Sequence, residues 1–162
     1  MQTITCMVDR EDEDMNITPE LIEKITKEII SQLKTNANEK FVKKTDPSGV
    51  ICVKTETVAC EPFDPGTPAN VKLKDIVTLE ESPRMGCGIL ELEKCTYPWQ
   101  LTYDEFYYVV DGVLDIIVEG RHNQGAKGDI IHIPKGTSIY FSTPSSCRAV
   151  YFTYPADWEN AE

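Results

Sequence analysis

Two hydrophobic periods divide this chain. Leu21, Ile22, Ile25, Ile29, Ile30 and Leu33 recur at the 3.6-residue spacing of a helix, with Glu20, Glu23, Lys24, Lys27, Glu28 and Gln32 on the opposite face. Thr18 supplies an N-cap and Pro19 a first helical residue, while Ile17 can close on Ile22 as a hydrophobic staple. The pattern predicts an amphipathic helix over residues 17–34. Its apolar stripe either packs on its own domain or docks on another protein. Ahead of it, residues 1–16 hold Asp9, Glu11, Asp12, Glu13 and Asp14, a self-repelling composition that predicts a disordered lead-in. Residues 35–48 read as a polar linker that runs into Asp-Pro-Ser-Gly turn chemistry.

From Val50 onward the period becomes two, with β-branched and aromatic runs punctuated by Gly, Pro and Asp. This predicts an all-β sandwich or barrel over residues 49–155 and a tail over 156–162. The clearest hairpin signal is Phe106–Val110, Asp111-Gly112, Val113–Val118, because Asp-Gly suits the positive φ angles of a type I′ turn. A strand at Ile130–Ile133 should end at Pro134.

Composition narrows the function. At 162 residues there is room for one ordinary domain and an extension. With 27 acidic against 16 basic residues, the net charge of −11 is repelled by a phosphate backbone, which excludes nucleic acid as a partner. The N-terminus lacks a basic, then apolar, leader, and no run approaches the ~20 apolar residues of a membrane span. The expectation is a soluble cytoplasmic protein without a membrane partner. The 6 cysteines are scattered, form no C-x-x-C pair and are expected to stay reduced. Gly125 to Gly128 lacks the spacing of a phosphate-binding loop.

Glu105, followed by Gly112, matches the back half of the first cupin motif, G-x5-H-x-H-x3 or x4-E-x6-G, and Gly128 to Gly136 matches the opening of the second, G-x5-P-x-G-x2-H-x3-N. The metal-ligand positions themselves are altered. With the shorter spacer, Trp99, Leu101 and Ile139 occupy the three histidine slots and Thr143 the asparagine slot; with the longer spacer, Pro98 and Gln100 replace the first pair. None of the residues in the histidine slots offers an imidazole lone pair, so no histidine-held transition metal is expected. His122, in the region after Gly120, and His132, in a strand, lie away from those slots. Whether His132 faces the pocket as a proton carrier stays open.

Gly120-Arg121 to Trp158, including Ile133-Pro-Lys-Gly-Thr-Ser-Ile139, Ser142-Thr-Pro144 and Tyr154-Pro-Ala-Asp-Trp158, resembles the EutQ family of ethanolamine-utilisation proteins, cupins without the metal histidines. The resemblance covers the barrel, about two thirds of the chain. It implies a cupin barrel, a double-stranded β-helix or jelly roll, behind the N-terminal helix. It also implies a place in the ethanolamine system associated with a bacterial microcompartment, and an acetate kinase activity that needs Mg-ATP. By analogy, residues 17–34 dock on shell or cargo proteins.

Strand alternation then predicts the pocket. If Glu105 points inward, so do Trp99, Leu101, Tyr103 and Tyr107, while Ile139 and Phe141 face in and Tyr140 faces out. Either these rings simply fill a small barrel, or they surround one desolvated carboxyl group that binds a ligand. Glu105 and Tyr103 are the candidate catalytic groups. Lys135, Arg121 and Arg148 are candidates for phosphate, and Asp104 or Glu105 for the oxygen ligands of Mg²⁺. Three functions remain open: the kinase, a non-catalytic assembly or adaptor protein, and a metal-free acid–base or metabolite-binding cupin. Val50–Val58, an apolar early strand, motivates a homodimer.

Overall fold

Thr18 opens a helix, α1, over residues 19–27, using the cap chemistry its sequence offers. The Leu21 amide donates to Thr18 Oγ1 at 3.2 Å and the Ile22 amide to the Thr18 carbonyl at 3.0 Å. Leu21, Ile22 and Ile25 are exposed along this helix. The computed structural model describes residues 18–27, 41–67 and 69–161, so the acidic lead-in, Ile17, Ile29, Ile30 and Leu33 lie outside the described residues. The chain divides into two units, residues 1–38 and 39–162, and the second is the barrel.

The barrel unit begins earlier than its period-two pattern suggested. Lys43–Thr45 form β1 and Ile51–Val53 form β2, an antiparallel pair across the Asp46 to Gly49 turn, so part of the expected linker is strand. Asp46 Oδ1 accepts the Ser48 amide at 2.9 Å, which makes this an Asx turn. A short 3₁₀ turn, Thr55–Thr57, leads to the main sheet. Its strands are β3 (Glu61–Pro62), β4 (Val71–Asp75), β5 (Gly86–Gln100), β6 (Asp104–Val118), β7 (Arg121–Ala126), β8 (Ile130–Ile133) and β9 (Ser138–Tyr154). Their order is β3-β4-β5-β9-β6-β7, with β8 also paired to β6, and every pairing is antiparallel. The long strands β5, β6 and β9 pair along most of their length, with register shifts at Glu93/Cys95 between β5 and β9 and at Val109/Asp111 and Gly112/Asp115 between β6 and β9, in the antiparallel arrangement of a cupin jelly roll.

The expected hairpin at Asp111-Gly112 does not form. β6 runs through it, and its register with β9 shifts between Val109 and Asp111 and again between Gly112 and Asp115. Gly112 does take the positive φ that Asp-Gly favours, +76°, but uses it for a bulge; a Cβ there would lie 2.0 Å from the Ser146 carbonyl oxygen. The tight turn comes later, where Glu119 at φ 50° and Gly120 at φ 77° join β6 to β7. β8 ends before Pro134 as expected.

The principal core lies between the layers and includes Leu90, Leu92, Leu101, Val109, Leu114, Ile116, Ile133 and Ile139. A second cluster, Val58, Ile76 and Ile89, covers the outer side of β5. Arg148 fastens it: its guanidinium donates to the Thr55 carbonyl at 2.8 Å and the Val58 carbonyl at 2.9 Å, and pairs with Glu91. The expected tail is also part of the fold, because Ala156 and Trp158 are buried and Trp158 joins the principal core.

Candidate functional site

The barrel interior is a room of aromatic rings. Alternation along β6 buries Glu105 and Tyr107 on one face, with Tyr103 just before the strand buried as well, and leaves Asp104, Phe106 and Tyr108 exposed on the other. Along β9 it buries Ile139 and Phe141 and exposes Tyr140. Leu101 is fully buried, and Trp99, half-buried on β5, pairs in register with Ile139. The inward set is therefore the expected one.

A cavity of about 30 Å³ remains among these rings, walled by Tyr97, Trp99, Tyr103, Tyr107, Phe141 and Tyr151, with Phe63 and Trp158 also in its lining. Tyr97 packs on Phe141 at 5.3 Å, Tyr107 meets Phe141 edge-on at 5.7 Å, and Tyr103 packs on Trp158 at 5.8 Å. Trp99 Nε1 donates to the Tyr103 hydroxyl at 3.0 Å, which leaves the Tyr103 hydrogen to point elsewhere.

Glu105 lies just behind this wall. It is 3% exposed, aligned with Ile133 of β8 and Thr153 of β9. Its Oε2 and the Thr153 hydroxyl have no hydrogen-bond partner among the described residues. Burial pushes the Glu105 carboxyl up to about 8, and the Tyr107 hydroxyl beside it pulls back only in part. At neutral pH Glu105 is a neutral acid. Burial, reinforced by Glu105, also pushes the Tyr103 and Tyr107 hydroxyls up, so both stay protonated. The site thus presents uncharged O–H donors on an apolar wall.

Other expected site residues are elsewhere. Asp104 and Glu105 face opposite sides of β6, and Asp104 Oδ1 accepts the Lys135 amide at 2.9 Å. Lys135 sits in the exposed turn after β8, outside the cavity wall. Arg148 is engaged by the 3₁₀ segment, and Arg121 pairs with Glu119 at 2.7 Å on the far hairpin. His132 faces outward, stacked on Phe106 at 4.4 Å, which removes it as a pocket proton carrier. His122 lies in strand β7, where its Nδ1 meets Asp115 Oδ2 at 2.6 Å. Among the described residues no group of three His, Cys, Asp or Glu side chains is placed to hold a metal ion.

Sequence reasoning missed Phe63, Tyr97, Tyr151, Thr153 and Trp158. Tyr97 shares its strand parity with Trp99, and Tyr151 and Thr153 share theirs with Phe141, so alternation extended further along β5 and β9 reaches them. Phe63 and Trp158 lie outside the long strands and carry no such signal.

Fold and site together define a cupin barrel whose interior is lined by aromatic side chains beside one buried carboxyl group. The family model of the ethanolamine utilisation protein EutQ matches residues 14–160, and the chain belongs to that family. It is 45% identical over 149 residues to the acetate kinase EutQ of Clostridioides difficile strain 630, covering 90% of this chain and 94% of the relative. It is 34% identical over 145 residues to the acetate kinase EutQ of Salmonella typhimurium strain LT2, and here the match covers 90% of this chain but only 63% of the longer relative. The solved structure of the Clostridium difficile EutQ protein superposes with a TM-score of 0.72 at 47% identity, covering 75% of this chain and 99% of that one.

Proposed function

We propose that this protein is an acetate kinase of ethanolamine utilisation and that the aromatic cavity receives the acetate. The observation that carries the acetate site is the burial of Glu105, 3% exposed with its Oε2 unpartnered among the described residues, which favours the neutral form of its carboxyl. An ionised carboxylate directly behind Tyr107 would repel a carboxylate ligand in a low-dielectric site; a protonated one does not. The methyl group packs on the rings, and the Tyr103 hydroxyl, whose hydrogen is free because it accepts from Trp99, donates to an acetate oxygen. In the transfer, an acetate oxygen bonds to the γ-phosphorus as its bond to the ADP oxygen breaks. A nucleoside triphosphate is far too large for a cavity of about 30 Å³, so ATP binds outside it and brings its own Mg²⁺.

The test is a coupled ATP–acetate assay on protein free of contaminating kinases. Acetyl phosphate should form, and Tyr103→Phe should lower kcat/KM for acetate by about tenfold, the value of one hydrogen bond to a charged group. Undiminished kcat/KM in that variant contradicts the site, and no acetyl phosphate from the wild type contradicts the activity.

A second reading, microcompartment attachment, draws on α1, where Leu21, Ile22 and Ile25 are exposed on a capped helix. It makes residues 17–34 a docking element for shell or cargo proteins. Removing residues 1–34 should abolish that association and leave the thermal transition of the barrel unchanged. The exposed rings of Phe106, Phe152 and Tyr154 likewise suit a homodimer, which light scattering at micromolar concentration should detect.

A further inference from the structure

We infer that Phe63 sets the chain length of the carboxylic acid that the barrel accepts. The inference rests on the reading of the cavity as the acetate site. At about 30 Å³ the cavity holds roughly two water-sized groups, so even acetate must push part of the wall outward. The walls differ in how far they can give. Tyr97, Tyr107, Phe141 and Tyr151 stand on β5, β6 and β9, each hydrogen-bonded into the sheet, and all four pack ring against ring. Moving any of them means shifting a central strand.

Phe63 is held differently. It follows β3, a strand of 2 residues at the sheet edge, and its amide donates to the Val71 carbonyl at 3.0 Å. Its half-buried ring meets Trp99 edge-on at 5.8 Å and Trp158 at 6.2 Å. Trp158 itself lies beyond the last long strand. The yielding wall is therefore the Phe63–Trp158 side, and each added methylene of a ligand has to displace the Phe63 ring further from its two tryptophan contacts. An extra methylene in an apolar pocket is worth roughly 10- to 200-fold in discrimination.

The cavity carries its own probe, because the chain has 2 tryptophans, Trp99 and Trp158, and both line it. Intrinsic fluorescence is titrated with sodium acetate, propionate, butyrate and hexanoate, for the wild type, Phe63→Ala and the milder Phe63→Leu, each checked for fold by circular dichroism. The wild type should respond to acetate and bind butyrate at least tenfold more weakly. Phe63→Ala should bind butyrate and hexanoate at least tenfold more tightly than the wild type does, with Phe63→Leu between them; Phe63→Leu decides the matter if the alanine variant does not fold. An unchanged chain-length profile in the folded variants overturns the role of Phe63 and leaves the acetate site standing. A wild type that responds to none of the acids overturns the site and this inference with it.

Discussion

Two carboxyl groups on β6 are equally withdrawn from water, Glu105 and Asp115, each 3% exposed and each with one oxygen lacking a partner among the described residues. They differ in what surrounds them. Asp115 faces away from Leu114 and Ile116, and its second oxygen meets His122 Nδ1 at 2.6 Å and Gln124 Nε2 at 3.3 Å. It clips β7 onto β6. Glu105 faces the interior, where its neighbours are tyrosines, and burial raises it to about 8. Depth alone does not make a site; the same depth gives a structural clamp where nitrogen donors converge and a neutral acid where rings do.

Breaking the joint between these two halves of β6 should have the largest effect. Gly112→Ala places a side chain at φ +76° and within 2.0 Å of a backbone oxygen, and is expected to cost about 3 kcal/mol or more in urea denaturation. A loss below about 0.5 kcal/mol means the bulge is not needed. Next, His122→Ala deprives Asp115 of its nearer donor and should cost about 1–3 kcal/mol, leaving the acetate response of the tryptophans unchanged. If that response falls, the two regions are not independent.

Smaller still at neutral pH, and sharper in what it separates, is Glu105→Gln. Folding raises this carboxyl from 4.5 to about 8, so between those pH values the native state keeps a proton that the unfolded chain has released. The stability contributed by Glu105 is full below 4.5 and declines as pH rises toward 8. Glu105→Gln should flatten that decline in a series of thermal melts. The same logic applies to binding: acetate affinity of the wild type should fall as pH passes 8, whereas the glutamine variant, neutral throughout, should keep its affinity. Parallel pH profiles in the two proteins contradict a neutral Glu105.

The inward face of the barrel was legible because period two is a local property. Glu105, Tyr103, Tyr107, Ile139 and Phe141 follow from alternation once a single residue is assigned. The Asp111-Gly112 hairpin misled because the same positive φ serves a turn or a bulge, and only the approach of Ser146 from β9 decides between them. Charge alone singles out Arg148, Lys135 and Asp104, but their partners come from remote segments that spacing cannot reveal. Phe63 and Trp158 reach the cavity lining from outside the long strands, in ring contact with each other, and no periodicity marks them.

The most direct test of the account is the ionisation of Glu105 itself, followed by the ¹³C chemical shift of its side-chain carboxyl carbon through a pH titration and assigned by its disappearance in Glu105→Gln. A midpoint near 8 is the predicted result. A midpoint in the ordinary carboxylate range, near 4.5, would mean that the cavity is backed by a charge at neutral pH and cannot be the acetate site described here.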